Sequence, residues 1–485
     1  MRASNHLFTR SLLLINCLSA SSFASEGLAL HADNPHYLLF RGKPTIIITS
    51  GEHYGAVLNL DFDYVKYLDT LARDGLNGTR TWAGAYCEPT TAFNIASNTL
   101  APREGRFICP WARSDQPGYA NGGNKFDLNR WDTAYFRRLK DFVSRAGKRG
   151  VIVELNLFCP FYEETMWRLS PMNALNNINS VGMVARTNVY TLDRNGGLLA
   201  VQEAMVRKLV TELKGFGNLY YEICNEPYFG GVTLEWQRDI ANVISETETT
   251  LGARHLISQN IANGKARVET PHPAVSIFNF HYASPPDTIA LNFDLDRVIG
   301  DNETGFRGIN NAPYRMEAWD FIVAGGGLFN NLDYSFTAGH EDGTFVYPAS
   351  QPGGGNPIFR RQVRFLKECV SRFDFVHMRP DDAVVHADLP NGAMARALVK
   401  PERDYLIYLR AGLRRSKTEP EPRMKYAKGE LSLKVTLPAG EFKIEWLDPR
   451  SGRPLESGRL STRGGVEPFS VPAFEEDIAL IIRRT

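Results

Sequence analysis

Eight short runs rich in β-branched and aromatic residues, separated by longer amphipathic segments, constrain this 485-residue chain more than any other feature. The runs are residues 44–49, 78–81, 151–157, 219–224, 255–258, 275–281, 297–300 and 328–333. Helical periodicity falls between them, over 61–74, 131–148, 198–214, 233–251, 312–324 and 359–373. Parallel strands cannot be joined by a tight turn, so this alternation builds a parallel sheet with helical crossovers. Eight repeats favour closure into a (β/α)8 TIM barrel over an open sheet, and no GxGxxG follows the first strand to suggest a dinucleotide site. The connections after the fifth and sixth strands are short and poorly helical.

Beyond about residue 376 the pattern changes to short strands split by turn residues, at 396–399, 405–410, 430–436, 440–447 and 477–482. That pattern predicts a small antiparallel β-sandwich, with the strongly marked turn Asp448-Pro449-Arg450-Ser451-Gly452. At the other end, Arg2 and Arg10 precede an apolar run over 12–18 and the small-residue site Ser22-Phe23-Ala24. This is the form of a signal peptide, so the expected division is 1–24 leader, 25–378 barrel and 379–485 sandwich, with the mature protein secreted or periplasmic. No other stretch reaches the roughly 20 apolar residues of a membrane span. With 55 basic against 54 acidic side chains, the chain has no field for nucleic acid. Cys87, Cys109, Cys159, Cys224 and Cys369 follow the leader without a CxxC spacing, which argues against a zinc site or a disulfide framework. Cys87, Cys109 and Cys159 lie in adjacent loops where one pair could bridge.

Two connections, 82–129 and 158–197, far exceed the few residues usual after a barrel strand, and both should rise from the same face of the barrel. Their aromatics (Tyr86, Trp111, Tyr119, Phe126, Phe161, Tyr162, Trp167) serve more readily to pack each loop onto the barrel than to touch a ligand. The fourth strand ends in Tyr221-Glu222-Ile223-Cys224-Asn225-Glu226-Pro227, and Glu303-Thr304-Gly305 follows the seventh. Carboxylates at the C-terminal rim of barrel strands are where barrel enzymes place catalytic groups. Two of them facing one another across the mouth suit cleavage of a glycosidic bond, which needs a proton for the leaving oxygen and electron density for an oxocarbenium-like centre.

The run YEICNEP resembles the E-L-x-N-E-P signature of the retaining-glycosidase clan that contains the cellulase-like family 5 hydrolases, and Glu303-Thr304-Gly305 resembles its nucleophile motif. The resemblance covers about residues 44–376 and implies a retaining glycosidase with Glu226 as acid/base and Glu303 as nucleophile. It implies a β-linked oligosaccharide or polysaccharide as substrate, and neither cofactor nor metal. Arg80 and Tyr282 would hold Glu303 ionised, Asn225 would bind a sugar hydroxyl, and Glu226 would need a raised pKa to arrive protonated. Glu52, His53, Trp82, Asn156, His281 and Asp333 point to the same mouth as candidate sugar ligands, and Glu222 reads as a buried structural partner. Asn156 stands where family 5 enzymes often carry His, His281 and Tyr282 are adjacent rather than one residue apart, and Leu332-Asp333-Tyr334 lacks the usual Trp. These departures point away from a cellulose-like substrate. His340-Glu341-Asp342 reads as an exposed polar loop rather than a metal site. Two alternatives use the same features: a transglycosylase with the same carboxylates, and a non-catalytic glycan-binding barrel. The long rim loops favour a pocket, and hence exo action or short oligosaccharides. The final domain resembles the sandwich appended to several bacterial glycosidases and sometimes labelled collagen-binding, with buttressing of the barrel the favoured role.

Overall fold

The computed structural model describes residues 27–390, 392–413 and 423–485; the expected leader lies outside them. Eight parallel strands follow one another round a single sheet: β1 (Ile47–Gly51), β2 (Gly78–Trp82), β3 (Ile152–Phe158), β4 (Leu219–Cys224), β5 (Leu256–Asn263), β6 (Val275–His281), β7 (Val298–Thr304) and β8 (Leu328–Leu332). They are buried on both faces, as strands wrapped by helices must be. The backbone ladder runs from β2 through β3 and onward to β8 and β1. Side chains close the remaining seam between β1 and β2. Asn77 Nδ2 donates to Ile46 O (2.8 Å), its Oδ1 accepts from Ile48 N (3.0 Å), and Thr49 Oγ1 donates to Gly78 O (2.6 Å). The approach requires glycine at 78, where a Cβ would sit 2.6 Å from the Ile47 side chain.

Around the sheet lie α1 (Tyr64–Arg73), α2 (Thr133–Lys148), α3 (Leu198–Leu213), α4 (Leu234–Leu251), the single-turn α5 (Asp287–Asn292), α6 (Asn311–Val323) and α7 (Pro357–Val370). The starts of α1, α2 and α7 are capped by Asp63, Asp132 and Asn356, whose side chains accept from the first free backbone N–H groups. Pro357 occupies the first position of α7, where its missing N–H costs nothing. No helix links β5 to β6, in keeping with the weak periodicity there.

The first and seventh strands differ from expectation. Residues Lys43–Thr45 belong to a small antiparallel sheet with Ala29–Leu30 and Leu38–Phe40, so β1 begins only at Ile47. The cause is the two-residue turn Arg41-Gly42, whose positive φ angles of 53° and 69° fit a tight hairpin. This sheet plugs the bottom of the barrel, where Leu28, Leu38 and Phe40 pack on Ile47, Ile152, Tyr220, Ile277, Val298 and Leu328. Only the opposite mouth remains open to a ligand. Strand β7 runs on through Asp301-Asn302-Glu303-Thr304, polar residues that look like a loop in sequence, because the barrel interior there is itself polar.

After Arg379 the pairing turns antiparallel. A six-stranded sheet (Arg379–Pro380, Met394–Lys400, Asp404–Arg410, Asp477–Arg484, Gly440–Asp448, Arg453–Thr462) faces a three-stranded one (Val385–Asp388, Ser432–Leu437, Gly465–Ser470). Their shared core includes Ile407, Leu433, Val435, Phe442 and Trp446. The larger sheet also covers α6, which is buried on every side and so lacks an amphipathic pattern. There Trp319 stacks on Tyr408 (5.4 Å between ring centres), Arg315 is clamped by Asp477 (2.8 to 3.2 Å) and Glu476 (2.6 Å), and Asp320 accepts from Arg410 Nε (2.9 Å). Replacing Asp477 by Ala leaves the Arg315 guanidinium buried without its main partner. The expected cost is about 3–5 kcal/mol, read as a lowered midpoint in denaturant unfolding; a change below about 1 kcal/mol, the worth of a surface pair, would show that this contact is not structural.

Candidate active site

The barrel interior is organised by one guanidinium. Arg80, on β2 and almost fully buried, donates from Nε to Glu154 Oε1 (3.1 Å), from Nη1 to Glu303 Oε2 (3.0 Å), and from Nη2 to Asn225 Oδ1 (2.7 Å) and to Glu222. Asn279 and Asn302 each donate to Glu222 Oε2 (2.7 Å), and Asn302 reaches Glu154 Oε1 as well (2.7 Å). Burial, and then Glu222, hold the Glu154 carboxyl well above the usual range, so Glu154 keeps its proton. Glu222 is therefore a structural partner. Burial opposes the charge on Arg80, but the acidic groups around it, Glu222 first, outweigh it.

Above this layer the two rim carboxyls face each other. Glu303 Oε2 accepts from Tyr54 OH (2.9 Å) as well as Arg80, and Oε1 accepts from Tyr282 OH (2.6 Å). Glu226 Oε2 accepts from Tyr162 OH (2.6 Å), and Oε1 from Tyr228 OH (3.3 Å). His281 lies between them, its Nδ1 3.1 Å from Glu226 Oε1 and 3.6 Å from Glu303 Oε1. One carboxylate oxygen from each glutamate and a ring nitrogen of His281 all lie within 4.8 Å of one another. That spacing would admit a cation, but both Glu303 oxygens already accept from hydroxyls and from a guanidinium whose charge repels a metal. Tyr54, Glu226 and Tyr282 all have positive φ (63°, 35° and 54°), a region costly for non-glycine residues and one that clusters at functional sites.

The electrostatics of Glu226 differ from expectation. Burial works to raise its carboxyl, but the hydrogen bond and charge of His281, with the hydroxyls of Tyr162 and Tyr228, outweigh it and hold the group below the ordinary range. These partners thus favour the ionised form of Glu226.

The two glutamates line a pocket with His53, Tyr54, Trp82, Glu88, Phe93, Ile95, Tyr162, Asn225, Tyr282, Phe306, Leu332 and Tyr334. Arg80 and His281 sit directly behind this lining, in contact with the glutamates. Three other candidates are not brought to it. Glu52, pushed up to about 7 by burial, instead accepts from Gly55 N, Ala56 N and Thr99 Oγ1 and so folds the loop after β1. Asp333 is buried against Arg360 (2.8 Å), Ser50 and Ser335, and ties α7 to β8. Asn156 is buried outside the lining, with neither amide atom partnered. Tyr54, Glu88 and Tyr228 were not picked out by sequence, and Tyr162 was read as packing. A tyrosine two residues after the Gly51-Glu52 rim is a faint signal for the first, and nothing local marks the others. Cys87, Cys109, Cys159, Cys224 and Cys369 are all free and buried.

Fold and site together define a (β/α)8 barrel whose open mouth carries two facing carboxyl groups. Among solved structures, the chain is similar to one described as a glycoside hydrolase (14% identity over 96% of this chain and 98% of that one, TM-score 0.62). It is also similar to a glycoside hydrolase family 5 protein from Bacteroides vulgatus (15%, 95% and 94%, 0.63) and to another described as a glycoside hydrolase from the same organism (12%, 96% and 83%, 0.63). The chain shares the fold of these proteins over nearly its whole length, sandwich included. No family model and no curated protein matches the sequence.

Replacing His281 by Ala removes the donor that outweighs burial at Glu226. The Glu226 carboxyl should then titrate at least about one pH unit higher, as followed by carbon NMR of labelled glutamate; an unmoved titration would assign the depression to the two tyrosines.

Proposed function

We propose that this protein is a retaining β-glycosidase in which Glu303 attacks the anomeric carbon and Glu226 serves as acid and then base. The observation that carries the reading is the pair of rim carboxyls, just after β4 and at the end of β7, with one oxygen of each within 4.8 Å of the other. Retaining enzymes hold their carboxyls about 5–5.5 Å apart, whereas inverting ones leave about 6.5–9.5 Å for a water. Arg80, Tyr54 and Tyr282 together give Glu303 three donors, which fix the orientation that a nucleophile needs. Glu226 must instead arrive protonated. A sugar filling the pocket expels the remaining water, which strengthens the effect of burial and drives the carboxyl back towards its protonated form. Protonation of the leaving oxygen by Glu226 then accompanies attack by Glu303, and the ionised Glu226 next takes a proton from the water that cleaves the glycosyl-enzyme. A transglycosylase would differ only in the acceptor. A non-catalytic glycan-binding barrel would have no use for a second rim carboxyl fixed by three donors beside the first.

The division into a leader over 1–24, a catalytic barrel over 25–378 and an accessory sandwich over 379–485 belongs to the same proposal, with export to the periplasm or the medium. The complete burial of α6 under the larger sheet supports a buttressing role for the sandwich.

Replacing Glu303 by Ala should lower turnover of aryl β-glycosides by several orders of magnitude, roughly 10⁴-fold or more. Replacing Glu226 by Ala should be milder on substrates with activated leaving groups, and azide should restore turnover with a β-glycosyl azide as product. An α-glycosyl azide from the Glu226 variant would exchange the two roles, and near-unchanged activity in either variant would remove that residue from the mechanism.

A further inference from the structure

On the glycosidase reading, the acid Glu226 must stand beside the leaving group, so the retained sugar lies on the other side of the pocket. That sugar is held on Glu303, and Tyr54, which donates to Glu303, directly follows His53 in the loop after β1, so this loop and the loop after β2 that pairs with it meet the retained sugar. They bring His53 and Glu88 into the pocket wall. Glu88 accepts from Tyr86 OH (3.1 Å) at Oε1, and from Asn98 Nδ2 (2.6 Å) and His53 Nε2 (3.2 Å) at Oε2. That leaves the carboxylate roughly one of its four lone-pair sites. Nδ1 of His53 is buried and has no partner, which is costly unless a ligand supplies an acceptor. Burial opposes charge on His53, but Glu88 outweighs it and raises the imidazole, which favours a proton on this nitrogen as well as on Nε2. A free donor beside a free acceptor site matches sugar hydroxyls.

The same wall closes one end of the cleft. The segment from Glu88 to Leu100 is pinned at its base by Glu88 N to Leu100 O (2.8 Å) and by Thr99 Oγ1 to Glu52 (2.6 Å) and to His53 O (2.8 Å). Its tip reaches the loop after β8, with Asn94 Nδ2 donating to Ser350 O (3.0 Å) and Ala96 N to Gln351 Oε1 (3.0 Å). Phe93, Asn94 and Ser97 have positive φ (51°, 57° and 53°), and the turned backbone presents Phe93 and Ile95 to the pocket. A polysaccharide bound along its length needs a groove open at both ends. Here the end beyond His53 and Glu88 is built shut. An acidic sugar is disfavoured as well, because Glu88, Glu226 and Glu303 all line the space it would occupy.

We propose that the pocket is blind on the glycone side and takes one neutral, non-reducing terminal sugar whose hydroxyls are read by His53 and Glu88, so that the enzyme acts from the chain end. The proposal rests on the glycosidase reading and goes beyond it in naming the unit accepted.

The test uses the full chain with p-nitrophenyl β-glycosides of glucose, galactose, mannose, xylose and glucuronic acid, and of the β-1,4-linked disaccharides of the neutral sugars. The expected result is release of nitrophenol from at least one neutral monosaccharide, at least about 100-fold slower direct release from the matching disaccharide, and none from the glucuronide. Direct release of intact disaccharide at a comparable rate, or cleavage of polysaccharides with no aryl monosaccharide turned over, overturns the blind pocket and leaves the glycosidase reading standing. Turnover of nothing, polysaccharides included, sinks the reading beneath it. His53→Ala should lower kcat/KM on the accepted glycoside by about 100-fold, yet by less than about 3-fold on the deoxy analogue lacking the hydroxyl that His53 reads. Equal losses on both substrates would reduce His53 to a structural role; if that variant does not fold, Glu88→Gln carries the same comparison.

Discussion

The guanidinium of Arg80 is the interaction on which the rest of the interior depends. A barrel centre is ordinarily filled by branched apolar side chains, but here Glu154, Glu222, Glu303 and Asn225 converge on one buried cation. Three carboxyls around a single positive charge cannot all ionise cheaply in a dry interior. The conflict is relieved where it does least harm, at Glu154, which retains its proton under burial and the Glu222 charge.

From that layer upwards, position is enforced by tyrosine hydroxyls and by strained backbone. Tyr54 and Tyr282 leave Glu303 no free choice of orientation, while Tyr162, Tyr228 and His281 do the same for Glu226. Each left-handed residue among them costs about 1–3 kcal/mol, offset only because neighbouring strands and loops determine its geometry. Glu52 shows how such support is built: a buried carboxyl accepts from Gly55 N, Ala56 N and Thr99 and so fixes both the Tyr54 turn and the base of the Glu88 wall. The plug beneath the barrel and the sandwich beside it complete the frame. One closes the bottom with apolar contacts, and the other buries α6, charged residues included.

Much of this was legible in the chain alone. Period and length of the apolar runs dictate eight strands and their helices, because burial on both faces demands continuous apolar runs in the strands and a single apolar stripe on most helices. Rim positions follow from strand ends, so Glu226, Glu303, Arg80, Asn225, Trp82, His53 and Tyr282 were identifiable as mouth residues, and the structure brings them together. Two things escaped local reading. The 43–45 segment folds back on 38–40 through the Arg41-Gly42 turn rather than joining the barrel, and β7 continues through four polar residues because their partners, Glu154 and Glu222, come from strands distant in sequence.

Glu52 and Asp333 make the same point at the site. Both follow barrel strands and read as mouth carboxylates, yet one is consumed by backbone N–H groups of its own loop and the other by Arg360 from α7. Sequence by itself determined the architecture and the two facing carboxyls, since strand period and strand ends are properties of neighbouring residues. Only the tertiary structure decided which polar groups are spent on the frame and which stay free, that His281 and two tyrosines pull Glu226 towards its ionised form, and that the β2 and β8 loops meet. Those outcomes depend on partners brought together across the barrel, and their energies come from burial and from charges a few ångströms away that no local pattern encodes.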